Sequence, residues 1–170
     1  MILPIVKEPQ PILRRKATPV GEITAEVRKL IDDMIETMHT AEGIGLAANQ
    51  VGSPLNILIA CPDPHGGKEI VLLNAVLSGR RGRHRSPEGC LSIPGVSSEV
   101  TRSTEVTAKG LDREGKPVTL SVTGLLAKIL QHETDHLAGR LYVDHLTPWK
   151  RADLLAKYRS IGDALRDVQL

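Results

Sequence analysis

The chain has 170 residues, 41% hydrophobic and 25% charged, with 22 Lys and Arg against 20 Asp and Glu. That composition suits one domain with its own core, and it excludes a disordered chain, a collagen-like repeat and a disulfide scaffold. A formal charge of +2, no Phe, and an aromatic set of Tyr142, Trp149 and Tyr158 argue against DNA binding and base stacking.

Residues 1–11 lack the basic start, apolar stretch and cleavage site of an export signal. The apolar runs at 57–61, 70–73 and 75–77 fall far short of the roughly 20 residues a membrane span needs. The chain therefore reads as a soluble cytoplasmic protein with reduced Cys61 and Cys90. Val27, Leu30, Ile31, Met34, Ile35 and Met38 recur at helical spacing, predicting an amphipathic helix over 24–41 that Gly43 ends. Runs rich in β-branched residues at 55–60 and 69–77, bounded by Pro, Gly and Ser, predict strands. The densest basic run, 79–85, reads as a solvated flexible loop, with contact to ribosomal RNA as the functional alternative. Glu105–Leu111 and Pro117–Thr123 alternate polar with apolar, and the turn residues at 112–116 join them as a hairpin. A second helix is predicted over 124–138, with Gly139 just past its end. A third has Thr147 as cap and Pro148 in its first turn, and carries Leu154, Leu155, Tyr158, Ile161 and Leu165. Helices set among strands give an α+β fold class.

His132-Glu133-Thr134-Asp135-His136 is the sharpest chemical feature. Four residues along a helix return to nearly the same face, so both imidazoles can reach one metal ion, with Glu133 beside them to take a proton. Leu125, Ile129, His132 and His136 form one stripe of this helix. Histidines on an apolar stripe need partners, and a metal supplies them. A catalytic metal usually takes three protein ligands. Cys90, within Glu88-Gly89-Cys90-Leu91-Ser92, is the leading third candidate. Cys61, at a strand end before Pro62, reads as a small buried group. Two alternatives stand beside this reading: a zinc endopeptidase with His145 as the third ligand, and a metal- or peptide-binding module without catalysis.

Three separated motifs, GIGLAANQ at 43–50, EGCLS at 88–92 and QHETDHLAG at 131–139, resemble those of the peptide deformylases in content, order and spacing. The resemblance covers nearly the whole chain. It implies a single catalytic domain over 1–170, with short mixed and antiparallel sheets around the metal-bearing helix and a C-terminal helix. It implies removal of the formyl group from the formyl-methionine that begins new bacterial and organellar proteins. Cys90, His132 and His136 would bind one divalent metal, Fe(II) natively, with Zn, Ni or Co possible. Glu133 would be general base and then general acid, while Gln50 and the Leu91 N–H would hold the oxyanion. Ile44, Gly45, Gly89, Leu125 and Ile129 would meet the peptide. Formyl-methionyl nascent chains would be the partners of a monomer that makes no membrane contact. The net charge of +2 over 148–170 would favour a transient ribosome contact. Two departures bear on specificity. The stretch 93–98, which includes Ser97, lacks an arginine many relatives carry, and Lys128 stands where an apolar residue is frequent. A lysine there is expected to extend outward along its aliphatic stem.

Overall fold

The computed structural model describes the backbone of residues 1–168 and the side chains of residues 1–164. Helix α1 (Ala25–Thr40) starts as predicted: Thr24 Oγ1 accepts the Val27 N–H at 3.3 Å, satisfying one of the donors a helix start leaves unpaired. Its far end differs. Glu42, not Gly43, takes the left-handed conformation (φ 55°). Gly43 packs closely instead: a Cβ there would lie 2.9 Å from Leu91 Cδ1, so that side chain would have to shift. The apolar face of α1 buries Val27, Ile31, Met34 and Met38 against β1 (Gly45–Ala47) and β2 (Ile57–Ala60). Truncating a fully buried side chain such as Met34 to Ala costs about 2–5 kcal/mol.

The chain continues through β3 (Ile70–Arg81), β4 (His84–Cys90), β5 (Ile93–Arg102), β6 (Glu105–Leu111) and β7 (Pro117–Thr123). One five-stranded sheet has the order β1-β2-β3-β6-β7, and β4 with β5 forms a separate two-stranded sheet. Every ladder between these strands is antiparallel, and a parallel bridge joins Thr18 to Leu55. The β6–β7 hairpin is the predicted one, in register from Glu105 with Thr123 to Leu111 with Pro117.

The flexible-loop expectation for 79–85 is corrected. β3 runs on through Arg81 and β4 starts at His84, so the basic run forms two strand ends and a short connection. Exposed arginines give no period-2 pattern, and pairing of β3 with β6 holds this stretch extended, with register shifts at Leu73/Val76 and Ser78/Arg81. β4 and β5 escaped the sequence reading for a similar reason: little of either strand is fully buried.

Helix α2 (Gly124–Leu137) lies across β1 and β2, burying Ala127, Ile129, Leu130 and Leu137. Gly139 ends it with φ 77°, and a Cβ there would also lie 2.5 Å from Arg14 O, so both conformation and space demand glycine. Helix α3 (Pro148–Val168) packs on β5 and buries Leu154 and Leu155 beside Ile93, Val100 and Tyr142. Tyr158 is half-buried, whereas Ile161 is exposed. The Leu165 side chain and residues 169–170 lie outside the described residues. Among the described residues no helix is long and apolar enough to cross a membrane.

Candidate metal centre and active site

The spacing on α2 does what helical geometry dictates: Leu125, Ile129, His132 and His136 share one stripe. His132 Nε2 and His136 Nε2 are 3.3 Å apart, and Cys90 Sγ lies 3.2 Å from His136 Nε2. One donor atom from each of the three residues falls within 4.8 Å of the others. Cys90 reaches the helix because the β4–β5 register shifts between Glu88 and Cys90. Cys61 is fully buried with Sγ 3.2 Å from Asp63 O, the small buried group expected. His145 sits elsewhere, its Nε2 2.8 Å from Asp135 Oδ2, which removes it as a third ligand.

Charge around the ligands is built from buried groups. Glu88 Oε1 lies 2.8 Å from His132 Nδ1, and both Glu88 oxygens pair with Arg102, at 2.8 and 2.9 Å. Arg102 Nη1 also reaches Asp135 Oδ2 at 2.6 Å. Burial alone would raise the Glu88 carboxyl, but hydrogen bonds from Arg102 and His132 outweigh it and hold the group down to about 2. Asp135 follows the same logic: His145 and Arg102 overcome its burial and hold it to about 2. Burial would likewise raise the Cys90 thiol, yet His136 and His132 bring it well below its usual value, toward the thiolate a metal needs.

The site opens on a cavity of about 540 Å³. Glu133, Gln50, Leu91, Ile44, Gly45, Gly89, Leu125 and Ile129 all line it, so the structure brings the predicted catalytic and substrate residues together. Cys90 and His132 face it as well, with His136 buried behind. Burial raises the Glu133 carboxyl despite the neighbouring imidazoles, and its Oε2 has no hydrogen-bond partner among the described residues. The carboxylate packs onto Gly45, where a Cβ would lie 2.4 Å from Glu133 Oε1. Gln50 is anchored: Oε1 accepts the Ala47 N–H at 2.9 Å, while Nε2 donates to Ser92 Oγ at 3.2 Å, beside Cys90 Sγ.

β1 is an edge strand. The Ile44 carbonyl is already taken by the Cys61 N–H at 2.8 Å. Alternation in an antiparallel ladder therefore turns the N–H and C=O of Gly45, not those of Ile44, to the open edge. Lys128 lines the cavity, and its Nζ donates to Pro87 O at 2.5 Å, so the side chain lies along the cavity wall rather than extending outward. Ser97 faces a groove beside α3 instead.

Several supporting residues were not singled out from sequence. Glu88, Ser92 and Asp135 lie inside the motifs, and a buried acid next to a metal ligand is a signal that could have found two of them. Arg102, which joins both acids, stands in a strand with no local mark. Asn49 Nδ2 bonds His136 O at 2.7 Å and ties the motif at 43–50 to the end of α2.

Three converging donors, a thiolate and two imidazoles of which one is oriented by a carboxylate, fit a transition metal that keeps one position open. That position would face the cavity onto which Glu133 also opens, an arrangement of metal-dependent hydrolases. The polypeptide deformylase family model matches residues 2–152. A peptide deformylase of Dehalococcoides mccartyi is 49% identical over 142 residues, covering 84% of each chain. One from Thermodesulfovibrio yellowstonii is 44% identical, covering 94% of this chain and 98% of its own. The crystal structure of a peptide deformylase from Legionella pneumophila superposes with a TM-score of 0.93 at 38% identity, covering 98% of both chains. The chain belongs to the polypeptide deformylase family, and its reaction is hydrolysis of the N-formyl group on the N-terminal methionine of newly made proteins.

Proposed function

We propose that residues 1–170 act as one catalytic domain in which Cys90, His132 and His136 hold a single divalent ion, Fe(II) in the native protein. The donor set equally accommodates Zn, Co or Ni, and the family resemblance favours iron. When bound, the ion supplies Lewis acidity, lowering the pKa of water and polarising a carbonyl. The chain's own residues do the rest. Glu133, with one oxygen free of hydrogen-bond partners among the described residues and a raised affinity for protons, takes a proton from water and delivers it to the departing methionine nitrogen. Gln50 Nε2 and the Leu91 N–H hold the negative charge that develops on the formyl oxygen. Gly45 pairs with the extended peptide by strand addition, and Leu125 and Ile129 give the methionine side chain an apolar wall. Gly89, across the cavity, offers backbone to the same peptide.

Formyl-methionyl nascent chains are the substrate, met in the cytoplasm by a monomer, with α3 as the surface that touches the ribosome. The net +2 charge over 148–170 supports that contact. The observation that carries the reading is the meeting of the Cys90–His132–His136 cluster with Glu133 and Gln50 on one cavity. Replacing Glu133 by Ala tests it: metal content should stay near one equivalent while formate release from formyl-Met-Ala disappears. Substantial formate release by that variant would remove Glu133 from the mechanism.

A further inference from the structure

Gln131 and Asp135 each precede a metal-binding histidine by one residue, which places them roughly 100° around α2 from the ligands. They form part of a second cavity, of about 380 Å³, whose wall includes Arg80, Arg83, Arg102 and Arg140. Asp135 is the one carboxylate lining it among the described residues, and that group is saturated. Arg102 reaches it at 2.6 Å, His145 at 2.8 Å and Arg140 at 3.0 Å. Arg102 is further held by both oxygens of Glu88.

Among the described residues Arg80 and Arg83 have no such counter-charge. The partner of Arg80 is a neutral amide oxygen, Gln131 Oε1 at 3.2 Å, itself fixed by the Ser103 N–H at 3.0 Å. Among the described residues Arg83 has no ion pair or hydrogen bond. Two guanidinium groups thus border one concavity with their charge unmet, one of them aimed by an anchored amide. Forked donors of this kind match an anion with several oxygens, and a phosphate can serve two forks where a carboxylate serves one.

We propose that this cavity binds the phosphate group of a small anionic ligand through Arg80 and Arg83. A concave site suits a small molecule better than a nucleic-acid strand lying along a surface, and none of the chain's Tyr or Trp residues lines it to stack a base. The site is separate from the metal cavity and does not depend on the deformylase reading.

Calorimetric titration of inorganic phosphate into the zinc-loaded full chain at low salt tests it. Saturable binding is expected, with Kd rising about tenfold or more in the Arg80→Met/Arg83→Met double variant and also rising with added NaCl. Formate release should be unchanged in that variant. Arg83→Met alone, whose side chain has no bond to lose, should weaken binding severalfold and keeps the test sound if the double variant folds poorly. No saturable binding by the unaltered protein would overturn the proposal. So would binding that persists in the double variant, because the anion would then be held by the metal or by other cations rather than by Arg80 and Arg83. A short RNA binding far more tightly than phosphate, and losing that affinity in the same variants, would replace the small ligand with a nucleic-acid backbone.

Discussion

Glu88 Oε1 lies 2.8 Å from His132 Nδ1, so a carboxylate fixes the ring from the side away from its metal-facing nitrogen. A proton on Nδ1 leaves the Nε2 lone pair free toward Cys90 and His136, the tautomer a metal ligand requires. Replacing Glu88 by Ala is expected to weaken metal affinity by about 10–100-fold. Competition with a chromogenic chelator measures this, and unchanged affinity would mean that His132 is oriented by other contacts.

Gln50 is held at both ends of its amide, by the Ala47 N–H and by Ser92 Oγ. Loss of one oxyanion donor typically slows turnover by about 100- to 1,000-fold. The Gln50→Ala variant should show that fall in kcat with metal content retained. Near-normal turnover would rule the side chain out as a donor.

Gly45 is fixed by the close approach of Glu133 and Ile129, whose nearest atoms would lie 2.4 and 2.8 Å from an added Cβ. Gly45→Ala must therefore displace Glu133 or the β1 edge. A displacement of about 1 Å can cost about 100-fold in rate. We expect kcat to drop on that order with the metal retained and KM raised. Steady-state kinetics on formyl-Met-Ala provide the check, and full activity would show that Glu133 needs no fixed seat.

Much of this site was legible in the sequence because chemistry and periodicity coincide there. His132 and His136 are four apart on a helix whose apolar stripe is written in Leu125 and Ile129, so their convergence follows from helical geometry. Cys90 was legible through its motif, although the distance to the histidines was not: it depends on a register shift between β4 and β5. The strands themselves were half-hidden. The 79–85 run read as a loop because exposed arginines leave no alternation, and its extended form comes from pairing with β6. Arg102 was invisible for another reason. Its role exists only where β5, β4 and α2 meet, bringing Glu88 and Asp135 to one guanidinium.

That buried network sets an acid limit. Glu88 and Asp135 are both held to about 2, below their ordinary 4.5 and 3.8. For carboxylates lowered in this way, the stabilisation is complete above the ordinary value and is lost as pH falls toward the folded value. For Glu88 the gap corresponds to about 3 kcal/mol, shared with Asp135 through Arg102 rather than added to it. Metal-free protein should accordingly lose stability to urea between about pH 5 and pH 2, and Glu88→Gln should flatten that dependence. An equal pH slope in the two proteins would place the acid sensitivity elsewhere.

The decisive measurement is formate release from formyl-Met-Ala by protein loaded anaerobically with Fe(II), assayed before and after removal of the metal. Formate is expected from the loaded protein, lost on chelation and restored by adding metal back. A folded protein with its metal bound that releases no formate would show that these residues do not perform the deformylation.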